Sequence, residues 1–143
     1  LIEATNVLER ISLADILKIV DAIRAAKNSK IYVFARGLTE HVAQEFSLKL
    51  ELLDYNVTQT GDPNIMRSVS KNLRQENLIL IFSLNGQTHE LIESAQNANL
   101  VNATVITCCC SAMLMAMPLS CCAPLSNRFC TPSNLFPTPR SYS

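Results

Sequence analysis

Two short stretches of this chain are apolar at every position: Ile31-Tyr32-Val33-Phe34-Ala35 and Leu78-Ile79-Leu80-Ile81-Phe82. A strand with one wet face alternates apolar and polar residues, so unbroken runs belong to strands covered on both faces, as in a parallel sheet between helices. Helical and strand signals alternate around them. Ser12-Leu13-Ala14-Asp15 is a weak capping box, and Leu13, Ile16, Leu17, Val20 and Ile23 follow the spacing of one buried helix face. A first helix is therefore expected over about 12–27, closed by Lys27-Asn28-Ser29 with Asn28 as a left-handed cap. After the turn Arg36-Gly37-Leu38-Thr39, a second helix is expected from about Glu40 to Leu53, with Val42, Phe46, Leu50 and Leu53 inward. Asn56 to Thr60 reads as a strand, Gly61-Asp62-Pro63-Asn64 as a turn and Ile65 to Leu73 as a short helix. The run at Leu78 leads into Ser83-Leu84-Asn85-Gly86-Gln87-Thr88, a helix from about Thr88 to Asn99 and a fourth strand from Ala103 to Thr107. Strand and helix alternating at this spacing predict βαβ units in a three-layer α/β sandwich.

The composition breaks near residue 107. Residues 1–107 hold no cysteine, one proline (Pro63), ten basic and twelve acidic residues, whereas residues 108–143 hold all six cysteines, five prolines, two arginines and no Lys, Asp or Glu. The expected domain is therefore 1–107, followed by an atypical Cys/Pro/Ser-rich tail. We read that tail as irregular chain or as a non-native continuation, such as an out-of-frame translation; a normal in-frame tail in the parent gene would contradict the latter. Its cysteines stand as 108–110, 121–122 and 130, without a CxxC pair or a nearby histidine, so neither a metal site nor a disulfide framework is expected. Cys108 is expected to act as a small hydrophobe at the end of the fourth strand.

Over the whole chain, twelve Lys+Arg balance twelve Asp+Glu, which excludes a nucleic-acid surface built on bulk positive charge. No apolar run is long enough to span a membrane, and the opening residues LIEATNVLER lack the pattern of a secretory signal. A cytoplasmic protein is the expectation.

In open parallel sheets, ligands bind beyond the carboxyl ends of the strands, where loops feed helix N-termini. Two such loops, Arg36 to Thr39 and Ser83 to Thr88, are rich in glycine and small hydroxyl residues. Unpaired N–H groups and partial positive charge at a helix start suit a phosphate; hydroxyls add donors, and glycine admits close approach. Neither a Walker A loop nor a GxGxxG fingerprint is present. The same residues also serve as ordinary helix caps, and that reading stands beside the first.

The segments IYVFARGLTEHVAQEFSLKL, Gly61-Asp62-Pro63 and LILIFSLNGQTHELIESAQNANLVNATVITC resemble the sugar isomerase (SIS) domain. The nearest version is the effector domain of RpiR/MurR-type bacterial transcription regulators. Ser83, Gly86 and Thr88 match the family's Ser-x-Ser-Gly-x-Thr loop, with Asn85 at its second serine; in the first loop, usually Gly-x-Gly-x-Ser, Ala35 stands for the first glycine and Thr39 for the serine. The resemblance implies a flavodoxin-like, five-stranded parallel sheet that binds a sugar phosphate or amino-sugar phosphate. It implies that Thr39, Ser83, Asn85 and Thr88 hold the phosphate, while Gly37, Gly86 and Gln87 shape the loops. It further implies a homodimer or higher homo-oligomer, no cofactor, and DNA binding only through a separate N-terminal helix-turn-helix domain, expected to be absent from these residues. The leading expectation is thus a non-enzymatic sensor. The alternative is a small aldose–ketose isomerase, in which His41 or His89 with Glu40 or Glu90 supplies acid and base. Arg36, at a strand end, is a candidate for a charge-assisted bond to an anionic sugar.

Overall fold

The computed structural model describes residues 13–83 and 88–109. Eight elements alternate along them: α1 (Leu13–Ala25), β1 (Lys30–Ala35), α2 (Thr39–Leu52), β2 (Asn56–Thr60), α3 (Pro63–Lys71), β3 (Leu78–Ser83), α4 (His89–Leu100) and β4 (Thr104–Cys109). The four strands are all parallel and lie in the order β2-β1-β3-β4. The chain steps from β1 outward to β2, then crosses back to β3 on the other side of β1. Right-handed crossovers oblige such a reversal to place its helices on opposite faces. Accordingly, α2 packs with α1 on one face and α3 with α4 on the other.

Strand alternation divides the core between these faces. Ile31, Val33, Ala35, Leu78, Leu80 and Ile106 point toward α1 and α2, where Ala26, Ala43 and Leu50 complete a buried cluster. Phe34, Ile79, Ile81 and Val105 point the other way, against Met66 and Leu73 and against Leu91, Ala95 and Ala98 of α4. Both apolar runs are thus buried on two sides, as their composition requires. Cys108 is half-buried against the first cluster. The fifth strand that the resemblance implies and the remainder of the tail fall outside the described residues.

Several expectations need correction. Helix α1 ends at Ala25, and Asn28 is not left-handed; among the described non-glycine residues, only Asp54 and Asn102 have positive φ. Those two instead follow α2 and α4, where Tyr55 N–H bonds Leu50 O at 3.1 Å and Ala103 N–H bonds Ala98 O at 3.0 Å, closing each helix with a left-handed residue. In α2, Val42 and Leu53 are exposed, whereas Ala43, Ser47 and Leu50 face the sheet. Small residues at 43 and 47 let the helix lie close to the strands, and the buried Ser47 hydroxyl is satisfied by Ala43 O at 2.7 Å. Leu13, Ile16 and Leu17 are likewise exposed; only the later part of α1, from Ile19 to Ile23, reaches the core. Helix α3 starts two residues before the expected position: the Asp62 carboxylate accepts from Asn64 N–H at 2.7 Å and Ile65 N–H at 3.1 Å, with Pro63 at the first helical position.

Candidate functional site

Doubly wound sheets bind ligands in the crevice at the carboxyl ends of the strands where the order reverses, and here that point lies between β1 and β3. The β1–α2 turn, the end of β3 at Ser83 and the start of α4 at Thr88 lie at this end of the sheet. Gly37 sits at φ +66°, and a Cβ added there would meet nothing within 4 Å. Glycine is therefore needed for the left-handed backbone, and the space above it is open. Thr39 begins α2, and its hydroxyl lies 2.8 Å from Arg36 O and 3.2 Å from Phe82 O. A hydroxyl has one hydrogen, so in this arrangement it is shared between those two carbonyls, the nearer being Arg36 O. Thr39 thereby ties the first loop to the end of β3.

Ser83 ends β3 and is buried, on the side of the sheet that carries α3 and α4. Thr88 occupies the N-cap of α4 with extended backbone and is half-buried, yet its side chain accepts no capping hydrogen bond. The α2 start, at Leu38, also lacks a side-chain cap. Helix α3, which starts from the outer strand β2, is by contrast capped by the Asp62 carboxylate. Two helix starts without side-chain caps thus flank the crevice, while a fixed anion closes the third. Asn85, Gly86 and Gln87 lie outside the described residues, so the first loop, Ser83 and Thr88 are what the structure brings together.

Charged groups ring this mouth. Arg36 Nη1 lies 4.0 Å from Glu90 Oε1, in the first turn of α4, and Gly37 N–H donates to Glu40 Oε1 at 3.2 Å. Glu40 lies against Gly61, where a Cβ would collide with its carboxylate, so that glycine keeps room for it. His41 and His89 are both exposed. Sequence reasoning placed Arg36 and Glu90 separately and missed their pairing. Its signal is the strand alternation, which sends residue 36, like 32 and 34, to the α4 side.

A cavity of about 340 Å³ opens elsewhere, lined by Ala22, Ala26, Asn28, Asn77, Leu78 and Thr104. It lies at the amino ends of β3 and β4, the wrong end for a switch-point ligand. Its Asn77 side chain already accepts from Arg74 N–H at 2.8 Å and donates to Lys30 O at 3.4 Å. Among the described residues, no group of three His, Cys, Asp or Glu side chains is placed to hold a metal, and no helix is long and apolar enough to cross a membrane.

A family model described as the SIS domain matches residues 23–116. No curated protein sequence matches the chain. Among solved structures, the chain is similar to the Sphaerobacter thermophilus RpiR transcription factor (sugar isomerase domain), with TM-score 0.65, 19% identity and coverage of 81% of this chain and 63% of that one. It is similar to the Vibrio vulnificus NanR protein complexed with ManNAc-6P at TM-score 0.61 and 16% identity, covering 76% of this chain and 43% of that one. It is also similar to the phosphoheptose isomerase GmhA of Neisseria gonorrhoeae at TM-score 0.63 and 17% identity, covering 76% and 68%. The chain therefore spans less than two thirds of the two regulator-type structures. At these identities the likeness speaks for the fold.

Proposed function

The chain belongs to the SIS domain family, and on that premise we propose that it is a phosphosugar-binding effector module of an RpiR-type transcriptional regulator. In this reading it senses a sugar phosphate or amino-sugar phosphate in the cytoplasm and adjusts the DNA binding of a separate helix-turn-helix domain. The observation that carries it is the pair of helix starts without side-chain caps at the β1/β3 switch point, with the Thr88 hydroxyl beside one of them. The positive ends of two helix dipoles lie there, and neither N-cap, Leu38 or Thr88, is a carboxylate, which suits a phosphate. Thr88 and Ser83 supply hydroxyl bonds, Gly37 leaves its approach open, and Asn85, Gly86 and Gln87 complete the second loop. Thr39 acts by holding the two connections in register. The sugar phosphate bound in the NanR complex supports this ligand class.

The sensor reading is favoured over isomerisation by where the titratable groups sit. His41 and His89 are exposed, Glu40 is bonded to Gly37 N–H and Glu90 faces Arg36. None of these is held in a water-excluded position where it would act as a general base. The isomerase reading keeps one specific support: both histidine–glutamate pairs fall in the first turns of the helices that border the crevice. A regulator transmits binding as a shift between arrangements of paired domains. The exposed Leu13, Ile16 and Leu17 of α1 and Val42 of α2 give such a homodimer apolar surface to bury.

A thermal-shift screen with sugar phosphates, unphosphorylated sugars and inorganic phosphate tests the ligand class. Stabilisation by a phosphorylated sugar without turnover supports the sensor; turnover of the same compound establishes the isomerase instead.

A further inference from the structure

Arg36 is the charged group at the switch point that the phosphate cradle leaves without a role. Its Nη1 is buried and makes no hydrogen bond among the described residues. Its nearest anion, Glu90 Oε1, stands 4.0 Å away, beyond hydrogen-bond reach. At that distance the pair gains Coulomb attraction but no directional bond, and a buried donor left unmade is costly. The position follows from the strand: Tyr32 and Phe34 point to the α3/α4 side, and Arg36 continues their alternation toward the first turn of α4. The next residue of the same loop is also engaged by a carboxylate, because Gly37 N–H is occupied by Glu40 Oε1 at 3.2 Å. At both places a carboxylate of the chain itself holds a donor that faces the crevice mouth.

We propose that Arg36 is the ligand's charged phosphate contact and that Glu90 is its placeholder, displaced when a phosphate monoester binds. A guanidinium presents parallel N–H donors that match two oxygens of one phosphate, a bidentate bond stronger than the long contact to Glu90. A monoester offers three free oxygens, enough to engage both Arg36 and the N–H groups at the start of α4. The inference deepens the phosphosugar reading and rests on it. Entry of the phosphate releases Glu90, so the carboxylate opposes binding through Arg36 and specificity is gained at some loss of affinity.

Titration of the full chain with inorganic phosphate, followed by phosphorus NMR and by thermal shift, tests this. Arg36→Gln should weaken phosphate binding by about tenfold or more, equivalent to roughly 1.4 kcal/mol. Arg36→Lys, which keeps the charge but not the fork, should recover only part of it. Glu90→Gln should bind phosphate several-fold more tightly, and the double variant Arg36→Gln/Glu90→Gln should match Arg36→Gln alone, since Glu90 acts through Arg36. Unchanged or weaker binding in Glu90→Gln, or unchanged binding in Arg36→Gln, overturns the proposal while Thr88-dependent binding preserves the phosphosugar reading. Absence of phosphate or sugar-phosphate binding by the folded native chain overturns both.

Discussion

Replacing Thr39 and Thr88 by valine, one at a time, separates a threonine that holds structure from one that awaits a ligand. Valine keeps the shape and removes the hydroxyl. At Thr39 the loss leaves Arg36 O and Phe82 O without the donor now 2.8 and 3.2 Å away. A net hydrogen bond contributes about 0.5–1.5 kcal/mol, and a part-buried acceptor left unmade adds to the loss, so Thr39→Val should cost roughly 1–2 kcal/mol. At this chain length that lowers the melting temperature by roughly 3–10 °C. Thr88 gives its helix no capping bond, so Thr88→Val should stay within about 0.5 kcal/mol of the native chain. Asp62→Ala is the internal standard: it removes a real cap with two N–H partners and should cost about 1 kcal/mol. Urea unfolding followed by circular dichroism measures all three. A loss in Thr88→Val equal to that in Asp62→Ala would refute the reasoning and return the second loop to ordinary capping.

Two further substitutions probe the frame. Met66→Ala empties a fully buried position between α3 and the sheet and should destabilise by about 2–5 kcal/mol in the same unfolding assay. Gly37→Ala meets no steric neighbour, so its cost should be that of a left-handed backbone alone, roughly 1–2 kcal/mol by thermal melting.

What could be read in the chain depended on whether one physical rule acted alone. The two apolar runs announced strands buried on both faces because they are short, bounded by turn residues and rich in β-branched and aromatic side chains, and β2 occupies Asn56–Thr60 as expected. Helix faces were harder. In α2 the large residues at 42 and 53 imitate an inward stripe, while the sheet is met by Ala43 and Ser47, whose small size is what close packing selects. The apolar stripe of α1 was legible as a stripe, but whether a core or another surface covers Leu13 to Leu17 depends on packing that periodicity does not encode. The start of α3 lies at Asp62-Pro63, an N-cap followed by proline at the first helical position, a pair whose residue types equally suit a turn.

At the candidate site, position was more legible than connection. The loops after β1 and β3 were marked by Gly37, Thr39, Ser83 and Thr88, and the strand order places them on either side of one crevice. That Thr39 bonds a carbonyl 43 positions away, and that Arg36 faces Glu90, are products of tertiary pairing across β1 and β3. Strand alternation in the sequence carries the side of the sheet that Arg36 faces, but not its partner, and no local spacing carries the Thr39 contact.

The central claim is that this crevice takes a phosphorylated sugar, and the most direct measurement is the melting temperature of the full chain with and without such compounds, beside Thr88→Val. A ligand at about a hundred times its dissociation constant stabilises by roughly 2.7 kcal/mol, a clear upward shift. The expected result is a shift that requires the phosphate, is absent with the unphosphorylated sugar and disappears in Thr88→Val. A cooperatively melting chain that shifts with no phosphorylated sugar would contradict the account.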